Sequence, residues 1–280
     1  MGPASRFAWP GRQMMSADLS FILMLILRMA VAAAFVVSAS FIAERAGPVI
    51  GALVATLPIS AGPAYVFLAL DHDAAFIAQG ALASLPVNAA TIFLSLIYAW
   101  LAQRHSLLVS CGAALGGWLL LATLIRSVQW TLLGGLIANA IAFAIALPLL
   151  ERFRHIARMP VIAPRWYDIP LRASLVALLV ATVVSLSGWA GPTISGIMAL
   201  FPIVFTSLML ILHPRIGGPV TAAVIANGAW GLMGFGLAIA VLHVGVLRFG
   251  SAIGLTLALL TCVFWNLGLW WNGRRKTAGR

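Results

Sequence analysis

Apolar stretches of about 20 residues follow one another along this chain, parted only by short charged or Gly/Pro-rich connections, and that pattern leaves few folds open. A helix of about 20 residues matches the roughly 30 Å hydrocarbon thickness of a bilayer, where a backbone has to satisfy its own hydrogen bonds. The sequence therefore predicts an all-α fold, a polytopic transmembrane helix bundle of about nine spans. They run near Leu19–Ala43, Gly47–Leu70, Ala74–Leu101, Ser106–Leu124, Trp130–Leu150, Leu171–Gly188, Gly191–Leu212, Val220–His243 and Val246–Trp271. Composition points the same way: of 280 residues, 62% are hydrophobic and 8% charged, where soluble domains carry about 25% charged residues.

A net charge of +11 would suggest nucleic acid as the partner of a soluble protein. Here the basic residues gather at span ends and in one central loop, so the bilayer is the expected partner and nucleic acid is not. The face carrying Arg45, Arg104, the central-loop arginines, Arg215 and the C-terminal basic cluster far outweighs the other, which also holds Asp71 and Asp73. By the positive-inside rule the C-terminus and central loop are cytoplasmic and the N-terminus is outside. The predicted organisation is a polar N-terminal segment (1–16), a first repeat of about five helices (17–151), a basic cytoplasmic linker (152–170), a second, inverted repeat of about four helices (171–272) and a basic tail (273–280). The first apolar run is too long for a signal-peptide core, so its helix is expected to stay attached, with Met14 or Met15 as alternative starts. Cys111 and Cys262 lie in apolar runs without metal-binding spacing and read as packing residues, and no metal or cofactor is expected.

The halves share a repeat. The segment LRMAVAAAFVVSASFIAERAGPVIGALVATLPIS, from Leu27, lies without gaps on LRASLVALLVATVVSLSGWAGPTISGIMALFPIV, from Leu171, at an offset of 144. Matches of Ala, Val and Ile carry little weight in membrane helices, but Arg28 with Arg172, Gly47 with Gly191, Pro48 with Pro192 and Pro58 with Pro202 share one register. A shift of about five residues would extend the likeness to Asn88 and Asn227. Five predicted spans, an odd number, separate each residue from its counterpart, so the halves are expected to insert in opposite orientations.

Pro58 and Pro202 each fall about eleven residues into a span, near the bilayer midplane at 1.5 Å per residue. Proline removes a backbone donor and breaks the helix, with Ser60 beside the first break and Thr206 and Ser207 after the second. Freed backbone at that depth is tolerated where it is buried in protein or lines a wet cavity, so these residues, with Asn88 and Asn227, form the candidate substrate site. Packing kinks and interhelical amide bonds are the structural alternative. Arg28 and Arg172 read either as snorkelling arginines at an interface or as anion-recognising groups. Asn139 and Asn266 read as packing residues. No Asp or Glu falls mid-span, which disfavours a buried carboxylate relay.

ERAGPVIGALVATLP, from Glu44 to Pro58, and GPTISGIMALFP, from Gly191 to Pro202, resemble small bacterial inner-membrane proteins of unassigned function that carry ERxGPxxGxLxAxLP in one half and a GP...FP counterpart in the other. More loosely, the architecture is similar to inverted-repeat secondary transporters with broken helices, such as the bile-acid symporter and cation/proton antiporter folds. That resemblance brings no substrate with it; the leading expectation, from the broken helices and the Asn side chains, is a non-enzymatic, multi-pass inner-membrane secondary transporter or exporter of a small neutral-to-anionic solute. Two other classes compete: a membrane assembly or scaffolding protein, and a lipid-modifying enzyme using Asp71, His72 and Asp73. Gly112 with Gly116 and Gly134 with Ala138 permit close helix contact, either within the chain or in a homodimer.

Overall fold

The computed structural model describes the backbone of residues 11–45, 60–154 and 165–278 and the side chains of residues 19–41, 60–154 and 165–272. Pro58, with Gly47 and Pro48, lies outside the described residues. Every regular element described is a helix: α1 (Gly11–Arg45), α2 (Ala61–Asp71), α3 (Ala74–Leu101), α4 (Leu107–Arg126), α5 (Leu132–Arg154), α6 (Asp168–Ala199), α7 (Ile203–Ile216), α8 (Gly218–Phe249) and α9 (Ser251–Ala278). Seven are long and apolar enough to cross a bilayer; α2 and α7 are too short. The chain is an integral, multi-pass helical membrane protein.

The local sequence of α6 explains how a short helix completes a crossing. At Gly191 the backbone turns left-handed (φ 75°), and Pro192 opens a new helical stretch that ends at Ala199. Glycine tolerates that φ without a Cβ clash, and proline suits a first helical turn because its missing N–H would have no partner there. A second break follows at Leu200–Pro202 before α7 begins. Residues 192–199 and α7 together make about 33 Å of helix at 1.5 Å per residue, one bilayer thickness, broken about 12 Å from one end. The expected span Gly191–Leu212 is thus two half-helices meeting at Pro202.

The sharpest constraint on packing is α3, 78% of whose membrane window is buried, against at most 39% in the other candidate spans. It is started by Asp73, whose carboxylate accepts the Phe76 N–H at 2.9 Å, and it packs against α4, α5, α6 and α8. Along α8 it runs antiparallel. His243 Nδ1 donates to the Ala78 carbonyl at 2.8 Å near one end, Asn88 Nδ2 donates to the Leu232 carbonyl at 3.0 Å in the middle, and a Cβ at Gly218 would meet the Ala102 carbonyl at the other end.

The offset of 144 reappears in this geometry without any shift. Asn88 and Leu232 stand 144 residues apart and touch, so a two-fold relation between the halves would have its axis there. Helix starts follow the same register, Ala74 with Gly218 and Leu107 with Ser251. So do buried positions: Val36 with Val180, Phe67 with Ile211, and Trp118 with Cys262. The register sets α1–α4 against α6–α9 and leaves α5 as the extra helix between them. The asymmetry that reads in the sequence as a second half one span short is this added crossing.

Gly196 of the half-helix lies so close to α3 that a Cβ there would fall on the Gly80 carbonyl, and backbone cannot swing aside as a side chain can. Gly196→Ala is expected to lower stability by about 1–3 kcal/mol through overpacking, whereas Gly116→Ala, with nothing within 4 Å, should be neutral or slightly stabilising. Paired thermal-denaturation curves in detergent check both.

Candidate functional site

On α3, Ser84, Asn88, Thr91, Ser95 and Tyr98 recur at alternating spacings of four and three and so share one helical face. All five are buried. In hydrocarbon each polar atom needs a partner, and the stripe finds its partners on several helices. Ser84 Oγ donates to the Gly196 carbonyl at 2.7 Å and meets the Tyr65 hydroxyl at 2.6 Å. That carbonyl is free for a reason: at the end of the half-helix Leu200 N–H turns to Ile197 O (3.2 Å), tightening the last turn and leaving Gly196 O without its helical donor. Thr91 Oγ1 accepts from Trp118 Nε1 of α4 at 3.1 Å, and the Trp118 ring packs edge-on, 5.3 Å away, against Phe201 in the break. Tyr98 OH lies 2.8 Å from His213 Nδ1 near the end of α7.

At mid-height the stripe joins two asparagines. Asn88 Nδ2 donates to Asn139 Oδ1 of α5 at 2.9 Å as well as to Leu232 O, and Asn139 Nδ2 donates to Leu85 O (2.6 Å) and Gly135 O (2.9 Å). Three helices are stapled at one level, the packing role expected of Asn139. Two buried polar atoms near the break have no hydrogen-bond partner among the described residues, Asn88 Oδ1 and Ser195 Oγ. Ser195 precedes Gly196 and Asn88 lies one turn beyond Ser84, so these open valences flank the Ser84–Gly196 bond.

The other candidate residues divide. Pro202 forms the break as expected and caps α7. Thr206 Oγ1 and Ser207 Oγ donate back to Pro202 O and Val204 O, both at 2.8 Å, inside α7. Ser60 precedes α2 and makes no side-chain cap. Asn227 is not brought to Asn88; it is exposed, and its Oδ1 accepts from Arg154 Nε at 3.0 Å. Arg28 is held by a bidentate ion pair with Asp71. Arg172 stands in the first turns of α6, partly buried.

The Arg28 pair has a mirror. In the second half Arg215 Nη1 contacts Asp168 Oδ2 at 2.8 Å. Asp71 and Arg215 are 144 residues apart, ending α2 and α7, and Asp168 lies one turn from Arg172, the counterpart of Arg28. Each pair joins the first helix of its half to the end of the short one, with the charges exchanged. Beside each pair a histidine reaches the opposite half: His72 Nε2 to Ser187 Oγ and His213 Nδ1 to Tyr98 OH, both at 2.8 Å. Asp71, His72 and Asp73 are thereby committed to an ion pair, an interhelical bond and a helix cap. Gly112 and Gly116 face outward with nothing within 4 Å, so they do not pack inside the described bundle.

The α3 stripe is the feature a reading by single residues missed; its signal was the four-three spacing of small polar residues along one span. Compared with known protein families, with curated proteins and with solved structures, the chain matches none.

If the amides act as one unit, their deletions are not additive. A double-mutant cycle of Asn88→Ala and Asn139→Ala, read by unfolding in detergent, should give a coupling of about 0.6–2 kcal/mol.

Proposed function

We propose that the protein is a secondary transporter or exporter of a small neutral-to-anionic solute, an inverted repeat set in a bacterial inner membrane with its N-terminus outside and its C-terminus in the cytoplasm. The observation that carries this reading is a pair of buried atoms, Asn88 Oδ1 and Ser195 Oγ, that have no hydrogen-bond partner among the described residues, beside the broken crossing. Buried polar groups are normally satisfied, and a vacant acceptor and hydroxyl next to backbone freed at mid-depth are what a small polar solute would engage. The antiparallel α3–α8 contact supports oppositely inserted halves, and α5, by adding one crossing, provides the reversal. Outward-facing Gly112 and Gly116 leave room for a second copy beside α4.

Alternating access needs contacts between the halves that open one face at a time. His72–Ser187 and His213–Tyr98 are suited to this, because each ties the end of one short helix to the other half. Breaking one should expose the centre from that side alone.

A thermal-shift screen against a panel of solutes, with and without sodium and across pH, tests the site. A bound solute raises the melting temperature as RT ln(1 + [L]/Kd). The expected result is one solute class that stabilises the wild type and loses its effect in Asn88→Ala and Ser195→Ala; a panel in which only lipids or partner proteins stabilise the chain would favour the scaffold or enzyme instead. The gates are tested by a Ser195→Cys probe with Cys111 and Cys262 replaced by alanine. With His72→Ala the buried thiol should react with an impermeant reagent from the Asp71 side, and with His213→Ala from the Arg215 side. Protection from both sides in both variants would rule out the proposed gates.

A further inference from the structure

Between α5 and α8 lies a cavity of about 840 Å³, walled by Phe143, Leu147, Trp230 and Met233, with Asn139 near one end and Glu151 at the other. Along α5 the trough runs about 18 Å of helix, from Asn139 to Glu151, at 1.5 Å per residue. Asn139 is already engaged by α3, so the groove is a hydrocarbon trough for most of its length.

The Glu151 end differs in kind. Glu151 Oε2 accepts from Arg154 Nη1 at 2.6 Å, while Arg154 Nε reaches across to Asn227 Oδ1 of α8 at 3.0 Å. Asn227 lies about 14 Å of helix inside the start of α8 and about 8 Å from the level of Leu232, so the charged pair meets α8 well within its length. The Glu151 side chain is 51% exposed and can accept further donors, and the guanidinium has five N–H donors, of which these two bonds use only part. A carboxylate and a guanidinium side by side at the mouth of an apolar trough complement a head group bearing both an anion and a donating cation.

We propose that this groove binds a bilayer phospholipid with a phosphoethanolamine head. An acyl chain lies along Phe143, Leu147 and Met233, the phosphate takes the free N–H groups of Arg154, and the primary ammonium donates to Glu151. Phosphatidylglycerol has no ammonium for Glu151, and the quaternary ammonium of phosphatidylcholine has no N–H to donate. The inner end of the groove reaches Asn139, the partner of Asn88, but its charged mouth is a distinct feature, and the proposal stands whether or not the chain is a carrier.

Titration of the detergent-purified full chain with phosphatidylethanolamine, phosphatidylglycerol and phosphatidylcholine, followed by native mass spectrometry, tests it. Phosphatidylethanolamine should bind about ten-fold tighter than the other two, the scale of one charge-assisted hydrogen bond. Glu151→Gln should remove that preference. Ala144→Trp, at an exposed position lining the trough, should abolish binding of all three lipids while leaving the lipid-free melting temperature unchanged. Equal binding of the three lipids, or a preference that survives Glu151→Gln, would overturn the proposal. So would a lipid-free dimer that Ala144→Trp converts to monomer, which would make a second copy the occupant.

Discussion

In hydrocarbon an unsatisfied polar group costs several kcal/mol, and α3 buries five polar side chains on one face. Four of them are met by groups from other helices: Ser84 by α2 and the half-helix, Asn88 by α5 and α8, Thr91 by α4, Tyr98 by α7. Each such bond fixes a neighbour in height and rotation at once, which apolar packing between lipid-like surfaces does poorly. The bundle is organised around α3 because its polar atoms can be satisfied in few other ways.

The halves share a backbone plan and differ in chemistry. Where α3 has Ser84, Asn88, Thr91, Ser95 and Tyr98, the same register on α8 has Gly228, Leu232, Phe235, Ile239 and Leu242. At the crossing point α8 contributes a carbonyl and α3 the amide that uses it. One turn further along α8, Gly236 leaves the amides their room, since a Cβ there would meet Asn88 Nδ2 and Asn139 Oδ1. Polarity on one side and small or apolar residues on the other let the two helices approach closely.

Much of this was legible in the sequence. Apolar run length pointed to the long apolar helices, and Pro202 to the break, because proline acts on its own backbone without needing a partner. The partner-dependent features were harder to read. Asn88 was visible as a mid-span amide, but matching it to Asn227 by residue type pointed away from Asn139, its true neighbour; the constant offset of 144 would have pointed to Leu232. The ion pairs were hidden for a related reason. Asp71 and Arg215 occupy one repeat position with opposite charge, so a search for identity passes over them.

Those exchanged charges have an electrical consequence. A membrane potential does work only on net charge that is displaced, about 2.3 kcal/mol per elementary charge per 100 mV. Arg28 cancels Asp71 and Arg215 cancels Asp168, each within its own half. The membrane voltage does no net work on either pair as a unit. A lone arginine at either position would leave an uncompensated charge in the membrane's field; the paired arrangement leaves these four residues without net charge while each pair joins a short helix to the first helix of its half.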